Sequence, residues 1–278
     1  MKLFVDNLTH VDFSYLHPKR GLVGESWAVQ LVLDGSLDPQ GMICDFGVVK
    51  RRVKHWLDAH LDHMLAVPAQ LPGLQLEQKG GMSEVHWHYP GGARFWCRAP
   101  EQAIAALPCT AIDELSVAHW CRDQLRQLFP EQVQGVELAF TAESIDGHYY
   151  HYSHGLQQHE GNCQRIAHGH RSRIQIYRNG HRDEVLEGRW AECFRDIYIG
   201  TRAHLKADTD GMHHYAYTAP QGDFELALPS RCCYLIDTET TVEQIAQHLA
   251  QQIKRDHPQD EIVVRAFEGI GKGAIATA

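Results

Sequence analysis

The chain has 278 residues, enough for one large domain or two small ones at roughly 100–200 residues per domain. Its 44% apolar and 22% charged residues are globular proportions and exclude disorder or a collagen-like chain. A net charge of -9 excludes non-specific binding to nucleic acid or to a membrane surface, which needs a basic footprint, but allows a small anionic ligand held by a local cluster.

No apolar run approaches the roughly 20 residues that cross a bilayer. Met1 to Asn7 lacks the basic-then-apolar pattern of a secretory leader, so a soluble, cytoplasmic protein is expected. The eight cysteines are irregularly spaced and are expected to be reduced thiols. The 20 histidines matter chiefly where they cluster, between His148 and His170.

In chain order, the first signal is a stretch that returns later. Val23–Gly35 (VGESWAVQLVLDG) aligns without gaps on His168–Gly180 (HGHRSRIQIYRNG). Both alternate apolar and polar residues and end in Asp-Gly or Asn-Gly, which predicts a strand followed by a hairpin turn. Val48 to His60 then places Val49, Val53, Trp56 and Leu57 on one helical face. Leu115–Pro130 and Glu243–Pro258 share helical periodicity and a closing proline. Each leads into a short strand ending in glutamate, at Glu143 and Glu268. Three features in the same order predict a duplication, with a boundary near 140–148 and units spanning 1–145 and 146–278.

The chemistry-bearing residues lie mostly in the second unit. His168 and His170 are two apart on a strand and so point to one face. With His154 they form a three-nitrogen set that leaves one position open, as in a catalytic zinc centre. Cys163 is either a fourth ligand that closes the shell or a loop thiol beside the metal, acidified enough to act as a base. Asp62-His63, just after the first helix, is a carboxylate-tuned imidazole able to move protons. Glu143 and Glu268, at strand ends, could each accept paired hydrogen bonds from an amino-pyrimidinone edge.

These residues resemble the family of 6-pyruvoyltetrahydropterin synthase and 6-carboxytetrahydropterin synthase, over nearly the whole chain. The pattern is a first histidine, Cys-x(3–5)-His-Gly-His, Gly-Met-x-x-Asp-Phe, Asp-His, Thr-x-Glu opening a helix, and a final Glu. The first half keeps Gly41-Met-Ile-Cys-Asp45-Phe46 and Asp62-His63 but has Val23-Gly-Glu25 in place of His-Gly-His. The second half keeps His154, Cys163, His168, His170, Thr241-Val-Glu243 and Glu268 but has no clear Asp-His. The complementary losses imply one composite site shared between halves. His213-His214 is the alternative, a local replacement for the lost pair.

The resemblance implies an α+β fold of two tandem tunnelling-fold units, antiparallel sheets with helices packed on one face. It implies Zn2+ on His154, His168 and His170, with Cys163 as base and His63, oriented by Asp62, as its partner. Glu268 and Thr241 would bind the ring of 7,8-dihydroneopterin triphosphate, the family's substrate. Arg165, Arg171 and Arg173 are candidate phosphate contacts, although alternation turns Arg171 and Arg173 away from the histidines. The implied reaction is 6-carboxytetrahydropterin formation with loss of triphosphate. A 6-pyruvoyl product and non-catalytic pterin binding are the alternatives. Arg165, three residues before His168, disfavours a side-chain-cleaving variant, whose pattern has a glutamate close before His-Gly-His. Single-domain relatives form trimers that stack into hexamers, so three of these chains would supply the same six units as a homotrimer.

Overall fold

In the computed structural model, which describes residues 1–89 and 91–278, two similar runs of elements follow one another. The first comprises β1 (Lys2–His17), β2 (Gly21–Gly35), α1 (Phe46–His60), β3 (Leu65–Pro68), β4 (Gln75–Lys79), β5 (Met82–His88), β6 (Arg94–Pro100), β7 (Ile104–Leu107), α2 (Glu114–Leu125) and β8 (Val133–Ala142). The second comprises β9 (Tyr149–His154), β10 (His168–Arg178), β11 (His181–Arg182), α3 (Glu184–Cys193), β12 (Ile197–Thr201), β13 (Leu205–Thr209), β14 (Met212–Ala219), β15 (Gly222–Pro229), β16 (Cys233–Ile236), α4 (Val242–Asp256), β17 (Ile262–Phe267) and β18 (Gly273–Thr277). Apart from β11 and β18, the two orders are the same.

The sheets repeat this correspondence. One has the order β7-β3-β1-β2-β8 and the other β16-β12-β9-β10-β17-β18, with β11 beside β10. In each, a long antiparallel hairpin lies at the centre and two short parallel strands lie to one side. The fold is therefore α+β and consists of two tandem units with helices laid on their sheets. A third sheet, β13-β14-β15-β6-β5-β4, is made by both units, which meet antiparallel where Leu226 faces Cys97.

Local chemistry accounts for the helices. Asp45 caps α1 by accepting from Val48 N, so the aspartate of the Asp45-Phe46 motif has a structural task. Val49, Val53, Trp56 and Leu57, the four residues expected from periodicity, are those α1 buries. Asp113 and Ser116 form a reciprocal capping box on α2. Thr241 caps α4, whose last turn carries Lys254 and Arg255, where positive charge suits the helix dipole. Separate apolar cores lie under α1–α2 and under α3–α4. A third core draws on both units, including Leu16, Phe95, Ile166, Tyr215 and Leu226.

The two turn dipeptides behave differently. Asn179-Gly180, with φ of 50° and 79°, makes the expected hairpin between β10 and β11. Asp34-Gly35 does not turn: both residues stay in β2, and Gly35 pairs with Val133 of β8. A distant strand extends the ladder there and overrides the local turn preference.

Candidate active site

The central hairpins of the two units cross face to face. Ser14 Oγ and Ser153 Oγ lie 2.6 Å apart, and an added Cβ on Gly24 or Gly169 would run into the backbone opposite. Matching strand registers relate the units. Val23 pairs with Tyr15 as His168 pairs with His154, and Asp12 pairs with Ser26 as His151 pairs with Arg171. The crossing therefore creates two corresponding corners, which have diverged.

At the first corner, His154 on β9 and His168 and His170 on β10 are all buried, with ligand atoms mutually within 4.8 Å. His154 Nδ1 donates to the Thr240 carbonyl at 2.9 Å and His168 Nδ1 to the Arg165 carbonyl at 2.9 Å. Both rings thereby turn Nε2 inward, with the tautomer that leaves it a lone pair. His154 Nε2 and His170 Nε2 lie 3.2 Å apart. Neighbouring ligands on a tetrahedral ion with bonds of about 2.0–2.1 Å would be spaced by about 3.3 Å. His168 Nε2 is buried without a hydrogen-bond partner among the described residues, an unfavourable state that a metal ion would relieve. Burial, reinforced by neighbouring histidine charge, holds His154 and His168 well below the ordinary histidine range, so both are neutral and ready to ligate. The residues fit a metal ion.

The depressed histidines predict an acid-sensitive metal-free protein. Below pH 6.5 the unfolded chain takes up protons that His154 and His168 refuse when folded, so stability falls as pH falls. Urea midpoints of the metal-free protein should drop between pH 7 and 5, and saturating metal should raise the midpoints across that range without removing the drop, because the folded imidazoles are neutral before the ion binds.

The first unit closes this corner. Asp62 Oδ1 accepts from Asp12 N at 2.8 Å, and Asp62 Oδ2 holds His63 Nδ1 at 2.6 Å. His63 has a φ of 56°, rare for a residue with a side chain, and its N–H donates to the Asp12 carbonyl at 2.6 Å. Its ring centre is 5.0 Å from that of His168, and it shares a second donor set with Cys163 and His168. Burial opposes charge on His63, but hydrogen bonds to Asp62 and Cys163, with their charges, push it up to about 10. Glu268 Oε1 lies 3.9 Å from His170 Nε2.

The structure thus gathers His154, His168, His170, Cys163, His63, Asp62 and Glu268. Thr241 stands apart from the histidines as the α4 cap, and its neighbour Thr240 is the residue that holds His154. His213 and His214 lie on β14 and engage Tyr215 and Glu225. Arg171 donates to the Glu143 carbonyl and Arg173 pairs with the Glu143 carboxylate, so both serve the opposite side. Arg165 turns to Gln221 and to the Asp62 carbonyl, tying the histidine-bearing loop to the first unit.

Asp12 was not among the residues expected from sequence. It is buried on β1, accepts from Ser26 Oγ at 2.5 Å, pairs with Lys272 at 3.0 Å and lies 3.3 Å from His170 Nδ1. Burial would raise its pKa, but His170, then Lys272 and Ser26, hold it well below the usual carboxylate range. An aspartate flanked by Val11 and Phe13 in an apolar strand was the available signal.

At the second corner, Tyr15, Val23 and Glu25 occupy the places of the three histidines. His151 Nδ1 lies 3.8 Å from Glu25, and Arg20 forms a two-pronged ion pair with Asp196. Burial pushes Glu25 up to about 7 and pulls His151 down to about 4. Asp196 has a φ of 53°, matching that of His63. The backbone device survives where the chemistry has changed.

A family model described as 6-pyruvoyl tetrahydropterin synthase matches residues 7–145, half of the chain. Among solved structures, 6-pyruvoyltetrahydropterin synthase from Plasmodium vivax is 16% identical, with a TM-score of 0.43 over 52% of this chain and 93% of that one. The Plasmodium falciparum enzyme is 17% identical, with a TM-score of 0.42 over 51% and 91%. No curated protein matches significantly. The family match falls on the unit that supplies Asp12, Asp62 and His63, and the chain belongs to the 6-pyruvoyl tetrahydropterin synthase family.

Proposed function

We propose that this protein is a zinc-dependent pterin synthase resembling 6-carboxytetrahydropterin synthase, acting on 7,8-dihydroneopterin triphosphate and water with loss of triphosphate and of the two outer side-chain carbons as a two-carbon aldehyde. The observation that carries this reading is the meeting of Asp62-His63 from the first unit with Cys163 and the three buried histidines of the second. We take 1–145 and 146–278 as the two units, with one working site per chain between them.

A zinc ion on His154, His168 and His170 would supply the positive charge that polarises the substrate's side-chain oxygens. Glu268, beside His170, is assigned to accept hydrogen bonds from the amino-pyrimidinone edge, and Thr241 to the ring's border. Cys163 takes a proton from the side-chain carbon next to the metal or returns one to it. His63 exchanges protons with Cys163 while Asp62 fixes its ring. The left-handed backbone at His63 is a cost of order 1–3 kcal/mol, consistent with a side chain aimed for chemistry. A cytoplasmic homotrimer supplies six units, and among the described residues no helix is long and apolar enough to cross a membrane.

The test is anaerobic incubation of zinc-loaded protein with 7,8-dihydroneopterin triphosphate, followed by mass spectrometry, with His63→Ala in parallel. A tetrahydropterin product that disappears in the variant supports the composite site, and its mass separates the carboxy from the pyruvoyl reaction. Binding without turnover in the unaltered protein would defeat the enzymatic reading.

A further inference from the structure

We infer that Asp12 of the first unit is the positioning residue for His170, so that the metal centre of the second unit depends on a carboxylate from the first. The inference rests on the metal reading above and goes beyond it. The three histidines differ in what stands behind them. His154 and His168 each have a backbone carbonyl at 2.9 Å to hold Nδ1. His170 Nδ1 is buried with no hydrogen bond completed among the described residues, and Asp12 Oδ1 faces it at 3.3 Å. A small tilt of the ring converts this approach into a hydrogen bond, and a ligating histidine that donates its second nitrogen to a carboxylate is oriented and made more basic.

Asp12 is itself fixed from three sides. Ser26 Oγ donates to Oδ1, Lys272 Nζ lies 3.0 Å from Oδ2, and a Cβ at Gly269 would come within 2.4 Å of Oδ1. Lys272 and Gly269 belong to the segment that follows Glu268, so one loop of the second unit closes over this carboxylate. Strand register rather than a local motif creates the contact, and the corresponding pair at the second corner differs: His151 Nδ1 donates to the Gly24 carbonyl at 2.7 Å and Glu25 lies 3.8 Å away.

The measurement is zinc affinity by chelator competition, together with the visible spectrum of the cobalt-substituted protein. Asp12→Asn, close to isosteric, should weaken zinc binding about 10–100-fold and alter the cobalt bands. Asp196→Asn breaks the Arg20 pair between units at the other corner and should leave both readings unchanged. Ser26→Ala should give a smaller loss in the same direction and carries the test if Asp12→Asn does not fold. Unchanged affinity and spectrum in the Asp12 and Ser26 variants would overturn the inference, as would an equal loss in Asp196→Asn, which would trace the effect to a loosened interface. Unaltered protein that binds no zinc would defeat the metal reading itself. Tight binding there with no effect at Asp12 defeats only this inference.

Discussion

Replacing Cys163 with alanine should lower turnover by about 10²–10⁴-fold, the usual range for a positioned acid or base, while leaving the zinc content of the protein unchanged. The reason is geometric. The three histidine nitrogens converge as one set, whereas Cys163 joins a different set with His63 and His168. Its thiol therefore neighbours both His63 and one histidine of the cluster. His63→Ala should give a comparable loss, and the double variant should be little worse than either single one, because the two residues act as a unit. Zinc released by Cys163→Ala would instead identify the thiol as a fourth ligand closing the shell. The two outcomes are separated by metal analysis after gel filtration, with kcat measured on the same samples.

What could be read from the sequence follows the range of each interaction. The helix over 48–60 depends on neighbours three and four apart and is found with the same buried residues. The meeting of the three histidines was also legible, because His168 and His170 need only strand alternation and His154 only the adjacent strand. Asp12 was not, since it lies more than 150 residues from His170 in the chain and meets it only through the way two separate hairpins cross. The same limit applies to the sheet shared by β6 and β15 and to Asp34-Gly35, where pairing with β8 removed an expected turn. Thr240 carries no sequence mark, because the helix-opening motif picks out the cap at Thr241 while the hydrogen bond to His154 goes to the residue before it.

The crossing itself offers the second large effect. Gly24→Ala should destabilise the protein by about 3 kcal/mol, the upper end of the ordinary overpacking range, or by more, and should reduce metal occupancy as well. An alanine Cβ there would lie 1.8 Å from the Tyr152 carbonyl oxygen and 2.6 Å from His170 N. Both are backbone atoms of paired strands, so neither can move aside as a side-chain tip could. Gly169 meets the mirrored obstacle, with its added Cβ 2.3 Å from the Tyr152 oxygen and 2.7 Å from Gly24 Cα. This accounts for the glycine common to Val23-Gly24-Glu25 and His168-Gly169-His170, whose flanking residues differ: the centre lets two hairpins touch. Gly180→Ala, on an exposed turn at φ 79°, should cost only about 1 kcal/mol and serves as the comparison. Urea denaturation of the three proteins, with zinc measured in each, makes the test. A Gly24→Ala midpoint equal to that of the unaltered chain would mean that the units are not in this contact, and the shared site would lose its structural basis.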